Sequence, residues 1–297
     1  MAITQATELL ATWEAGLDRT FDGRALLLHH AARPDTGGDS EALLSLPVGA
    51  READLFALRR SLFGERMQVR LECESCGADM EFDLDAGEFA RSLRVPVAAP
   101  VRIAEDGWVV EFRVPNVADL TAAARHADAR RALLARCVVS VVRDGEAAPG
   151  GVSHGVVDGA PHGVVDGAPH GAADGAPHGA ADGAPHGIAD GVPPGVLGGG
   201  ALVDVLPPSV QRRIAEAAEA ADPAADVTLN INCPECGTAT RAELDIASYL
   251  WTELDSWARD LLLDVHLLAI AYGWSEPEIL ALSPLRRRYY LELCADV

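Results

Sequence analysis

Of the six cysteines in this 297-residue chain, four come as two hooks, Cys73-Glu74-Ser75-Cys76-Gly77 and Cys233-Pro234-Glu235-Cys236-Gly237. A C-x-x-C-G hook turns two thiolates toward one ion, and its glycine takes up backbone angles that a side chain resists. One hook supplies half of a tetrahedral site, and neither has a second cysteine pair or a suitably spaced histidine nearby. The simplest completion is that the hooks meet and share one structural Zn²⁺, with Cys73, Cys76, Cys233 and Cys236 as its ligands. Four thiolates close such a site and leave no position for water or substrate. The competing reading is two unrelated cysteine pairs, structural or redox-active. Redox-active C-x-x-C pairs sit at helix N-termini, where the dipole lowers the thiol pKa; both hooks here lie between alternating segments.

Those segments are what must position the sulfurs. Met67, Val69, Leu71 and Cys73 alternate into the first hook, and Val227, Leu229, Ile231 and Cys233 alternate into the second. Period-two alternation running into a tight turn predicts a strand entering a hairpin. The hooks stand 160 residues apart, and Leu84-Asp85 falls on Leu244-Asp245 at the same offset. Helical segments follow both returning strands, over 88–93 and from Ile246 onward. Two matched hairpins with cysteines at their tips are the halves of a zinc ribbon. The expected fold class is α+β: mostly helical, with a composite zinc ribbon built from two distant β-hairpins and a long disordered insertion.

Around the hairpins the pattern is helical. Helices are expected over 4–13, 24–32, and after Pro47 with Leu55, Leu58 and Leu62 in register up to Gly64. Arg51, Arg59 and Arg60 fall largely off that last stripe, as solvated or acid-paired side chains. A hairpin is expected over 97–114, turning at Asp106-Gly107. Asn116 and Asp119 then form a capping box for a helix that the apolar pattern carries to Val142. Another helix runs from Pro208 to Ala221. The longest, 246–272, keeps a 3–4 rhythm through Leu250, Trp251, Leu254, Trp257, Leu261, Val265, Leu268 and Tyr272. Ser275 and Glu278 cap a short helix, and Ser283-Pro284 opens the last. Cys137 and Cys294 read as buried small hydrophobes, His29 and His30 as packed or half-exposed, and His266 as a satisfied core or interface histidine.

Between 144 and 200 the composition changes. His154, His162, His170, His178 and His186 recur every eight residues within Gly/Pro/Ala repeats. Such residues bury too little area to repay ordering, so a disordered tether is expected, with a histidine metal buffer as the less favoured alternative. The chain thus divides into 1–143 with the first hairpin, 144–200 as insertion, and 201–297 with the second hairpin and a helical terminus.

The net charge is −21, and all 24 basic residues are arginine. Nucleic-acid affinity rests on cationic side chains displacing counterions, so so acidic a chain is a poor DNA or RNA binder, and anionic membrane surfaces are disfavoured equally. No secretory signal is visible at the N-terminus and no run is long and apolar enough to span a bilayer, which makes a cytoplasmic location the expectation. No phosphate loop, nucleophile elbow, H-E-x-x-H pair or dinucleotide fingerprint is present, so no enzyme activity and no small-molecule substrate is expected.

The hooks, Arg113-Val-Pro-Asn-Val-Ala-Asp-Leu120, the stretch from Trp251 through Ala269, Ala271-Tyr-Gly-Trp-Ser-Glu276 and Arg286-Arg-Arg-Tyr-Tyr-Leu291 together resemble the T4-type phage baseplate hub assembly chaperones. They are similar also to the zinc-knuckle baseplate proteins of contractile tails and phage-tail-like injection systems. The likeness covers roughly 40–143 and 205–297. It implies a non-enzymatic protein that builds or joins a baseplate through contacts with hub or wedge subunits. A function from another class remains open beside it, that of a zinc-ribbon nucleic-acid-binding or transcription accessory protein; a thiol oxidoreductase is a third.

Overall fold

The computed structural model describes residues 3–92, 99–143 and 199–295. Four helices come first: α1 (Ile3–Gly16), α2 (Phe21–Ala32), α3 (Ser40–Leu44) and α4 (Val48–Phe63). Strands β1 (Arg66–Glu72) and β2 (Asp79–Asp85) lead into α5 (Ala86–Ser92). Strands β3 (Val101–Glu105) and β4 (Trp108–Phe112) are followed by α6 (Val117–Ala123), α7 (Ala129–Cys137) and β5 (Val138–Arg143). Beyond the undescribed segment come α8 (Gly199–Asp204), α9 (Pro208–Ala221), β6 (Thr228–Asn232) and β7 (Ala239–Glu243). Helices α10 (Ile246–Tyr272), α11 (Glu276–Leu280) and α12 (Pro284–Ala295) complete the described chain. The strands form three small antiparallel sheets, β1-β2, β3-β4-β5 and β6-β7. The fold is α+β and mainly helical, as expected. The proposed tether lies outside the described residues, except that Gly199 and Gly200 open α8.

Two apolar cores hold these elements. One joins Leu9 and Trp13 of α1, Leu28 of α2, Leu55 and Phe56 of α4 and Met67 of β1 to Leu250, Leu254 and Leu261 of α10. The other sets Ile103, Val110 and Phe112 of the three-stranded sheet against Val210 and Ile214 of α9. Each fully buried side chain of this size contributes about 1.5–3 kcal/mol. Both cores take residues from either side of the undescribed 144–198 segment, so the two parts of the chain fold against each other.

Helix α10 dominates the first core because its stripe recurs every three or four residues over seven turns. Asp245 starts it, accepting from the Ala247 and Ser248 amides at 3.0 and 3.2 Å, and Gly273 ends it. Trp251 is half-buried with the Arg24 guanidinium 4.7 Å from its ring centroid, and Trp13 Nε1 donates to Asp255 at 2.8 Å.

Several expectations are corrected. Residues 117–142 are not one helix: the chain turns between α6 and α7, Asp128 caps α7 through the Arg131 amide at 2.9 Å, and Val138–Arg143 pairs as β5 with β4. The β-branched valines fit a pleated strand better than a helical turn. Asp119 does complete the capping box with Asn116, but it is also buried and accepts from Arg113 and Arg136. His29 is buried and hydrogen-bonds Asp54 at 3.1 Å, whereas His266 is exposed rather than in the core. Cys137 is buried, its thiol pushed up to about 11 chiefly by that burial. Cys294 is only half-buried, donating to the Tyr290 carbonyl at 3.0 Å.

Arg59 is acid-paired, one of the two states expected of it, but it is buried rather than solvated. It is 2% exposed. Its Nε and Nη2 donate to Glu253 of α10 at 2.8 and 2.6 Å, and its Nη1 and Nη2 donate to the Gly64 and Arg66 carbonyls at 2.7 Å each. One side chain therefore satisfies the corner between α4 and β1 and fixes it to α10. Arg59→Ala removes those donors and leaves Glu253 unpaired; unfolding in urea should show a loss of about 3 kcal/mol. Glu253→Gln, which keeps one acceptor, should lose less.

Asp222, just beyond α9, is buried and accepts from the Gly49 amide at 2.9 Å, in the first turn of α4 where Pro47 supplies no cap. Burial raises its pKa, and burial raises that of Glu52 one turn away. A carboxyl whose folded pKa lies above its unfolded value stabilises at low pH and loses that contribution as pH rises through the folded value. Asp222→Asn should therefore flatten the fall in stability above the ordinary carboxylate range, measured by thermal unfolding across pH.

Candidate metal centre

The β1-β2 hairpin pairs from Arg66 opposite Asp85 to Glu72 opposite Asp79, and β6-β7 from Thr228 opposite Glu243 to Asn232 opposite Ala239. Both turns close alike. The Cys73 amide donates to Ala78 and the Gly77 amide to Cys73, at 2.9 and 2.8 Å; the Cys233 amide donates to Thr238 and the Gly237 amide to Cys233, again at 2.9 and 2.8 Å. Gly77 and Gly237 have φ of +71° and +74°, the left-handed region that a β-carbon disfavours. The likeness extends past the strands: Asp85 accepts from the Glu88 amide at 2.7 Å at the start of α5, as Asp245 does at the start of α10.

The hairpins bring together all four cysteines singled out in the sequence. Cys73 and Cys236 stand 3.7 Å apart, as do Cys76 and Cys233, and all four sulfurs lie within 4.8 Å of one another. All are free thiols, with sulfurs well beyond the roughly 2.05 Å of a disulfide bond. Sulfurs set tetrahedrally at about 2.3 Å from an ion would be spaced by about 3.8 Å, so the cluster could hold a metal. Cys73 and Cys233 are buried among Leu71, Ala78, Met80 and Ile231, while Cys76 and Cys236 face solvent.

Backbone and hydroxyl donors point at the sulfurs. The Cys76 and Ser75 amides hold the Cys73 thiol below its ordinary pKa, and the Thr240 hydroxyl donates to Cys73 Sγ at 3.8 Å. The Thr238 hydroxyl and amide lower Cys236 to about 6. At Cys76 the Ala78 amide also favours the thiolate, but the adjacent sulfurs, Cys236 foremost, push the group up to about 12. Donors thus stabilise thiolate charge, and crowding opposes its accumulation. A bound cation would relieve that opposition. The repeat histidines from His154 to His186 lie outside the described residues.

Sequence reasoning missed the side chains that support the hairpins. Besides Arg59, Tyr249 Oη of α10 donates to the Gln68 carbonyl on the outer edge of β1 at 3.1 Å. Thr240 carried one usable signal, the 160-residue offset that pairs it with Met80.

A family model described as T4 bacteriophage base plate protein matches residues 35–151. No curated protein and no solved structure matches the chain. The matched segment holds the first hook and Arg113–Leu120; the second hook and the motifs at 273–276 and 286–291 lie beyond it. Over that stretch, less than half of its length, the chain is similar to T4 bacteriophage base plate protein. Among the described residues no helix is long and apolar enough to cross a membrane.

Gly77 and Gly237 test the hook geometry. A β-carbon at Gly237 would meet nothing within 4 Å, and one at Gly77 only Glu72 Oε1 at 3.7 Å, so the penalty is conformational. Each Gly→Ala change should cost about 1 kcal/mol by chemical denaturation.

Proposed function

We propose that this protein is a non-enzymatic assembly chaperone or structural component of the baseplate of a contractile phage tail or phage-tail-like injection system. It acts through contacts with hub or wedge subunits. The observation that carries this reading is the family match over 35–151. In the same reading Cys73, Cys76, Cys233 and Cys236 hold one structural Zn²⁺. An all-sulfur set with spacings of 3.7 Å suits a tetrahedral thiophilic ion better than oxygen-seeking Mg²⁺ or Ca²⁺. Bound there, zinc would cross-link the two hairpins and contribute on the order of 10 kcal/mol to their association. The zinc-ribbon nucleic-acid alternative is opposed by the net charge of −21.

Two measurements test this. Tagged protein recovered from a nuclease-treated lysate of particle-producing cells should retain hub or wedge subunits; recovery of nucleic acid in a salt-sensitive manner, without those subunits, would sink the baseplate role in favour of the alternative. Elemental analysis should find about one zinc per chain. Cys73→Ser or Cys233→Ser, or stripping with a chelator, should remove the metal and sharply lower the melting temperature. Metal-free purified protein with unchanged stability would remove the zinc proposal and leave the family match standing.

A further inference from the structure

Helix α12 packs on α10 through one face. Arg287 Nε donates to Asp264 at 3.1 Å, Tyr272 Oη to the Tyr290 carbonyl at 3.3 Å, and the rings of Tyr272, Trp274 and Tyr290 cluster at 4.6–5.6 Å. The opposite face is apolar and, among the described residues, exposed: Leu285, Tyr289 and Leu293 are 64%, 60% and 59% exposed. At about 100° per residue, Leu285 and Leu293 lie symmetrically on either side of Tyr289. Adjacent α10 also leaves Leu263, Leu267 and Ile270 exposed. One flank of the α12 stripe carries Arg288 and Glu292, exposed and paired with each other at 3.0 Å.

This pattern is complementary to itself. With two copies of α12 antiparallel about a two-fold axis at Tyr289, Leu285 of one meets Leu293 of the other, and like flanks face each other. Arg288 then opposes Glu292 of the second copy, and Glu292 opposes Arg288, so the charges alternate across the seam. We infer that this face of α12 is an isologous contact between two copies of the chain, an antiparallel helix pair with an apolar stripe and an alternating Arg–Glu flank. The contact is independent of both the metal and the baseplate role.

Sedimentation of the full chain over a concentration series tests it. A reversible dimer is expected, and Tyr289→Asp should return it to monomer with unchanged circular dichroism, since the residue is exposed. Arg288→Glu sets like charges together twice per dimer and should weaken it about tenfold; adding Glu292→Arg should restore it. A chain that stays monomeric up to about 100 μM overturns the inference, and binding of a baseplate subunit to this stripe would then assign the face to that partner. A dimer indifferent to Tyr289→Asp overturns it equally, and failure of the charge exchange to rescue Arg288→Glu overturns the antiparallel arrangement.

Discussion

Four sulfur atoms within 4.8 Å of one another set the constraint that the rest of the chain must meet. Two unit charges about 4 Å apart repel by about 4 kcal/mol at an effective dielectric of 20, so four thiolates at this spacing are not sustained by hydrogen-bond donors alone. The cluster exists because two hairpins far apart in the chain are delivered to one place by contacts that involve no sulfur. Arg59 ties the entry to β1 to Glu253, Tyr249 holds the outer edge of β1, and β7 runs through Asp245 straight into the same α10. The first hairpin is carried to α10 sideways, and the second is continuous with it. Protein packing brings the sulfurs within reach of one another, at a spacing where one metal ion could hold both hairpins.

The two hairpins are used as near-equivalents. Exchanging them maps the Cys73–Cys236 spacing onto Cys76–Cys233, both 3.7 Å, and the closing hydrogen bonds of the turns agree in partner and length. The departures from symmetry are local. Met80 fills the position that Thr240 occupies in the other hairpin, and only the threonine offers a hydroxyl, which it directs at Cys73. One hairpin opens the seven-residue α5 and the other the 27-residue α10, so a repeated unit serves once as a short corner and once as the root of the longest helix.

What was legible in the sequence was local or repeated. Hooks, alternating strands, the Asn116–Asp119 capping box and the 3–4 rhythm of α10 each follow from residues within a turn or two of one another, and the 160-residue offset tied the hairpins together. What was not legible depended on partners far away in the chain. The valines at 138–142 continue an apolar rhythm that suits a helix as well as a strand, and β4 as a neighbour decides between them. Arg59 and Asp222 look like surface charges until α10 supplies a carboxylate for one and α4 an open amide for the other. His266 shows the converse: its neighbours Leu262, Leu263, Leu267 and Ile270 are apolar, but they are exposed and no core forms around them.

That last observation separates two tasks along α10. At 27 residues the helix is about 40 Å long. Its first half is amphipathic, with Leu250, Leu254 and Ala258 in the core and Thr252, Ser256 and Arg259 toward water. Its second half keeps Leu261 and Leu268 buried, and beside Asp260, Asp264 and His266 it also carries the exposed apolar side chains Leu263, Leu267 and Ile270. That exposed side, with the outer face of α12, lies at the end of α10 away from the cysteine hairpins. One rod thereby roots the core along its length and presents an apolar surface toward its far end. In the proposed assembly role that division matters, because a face that must stay open to a partner cannot also be the face that holds the fold together.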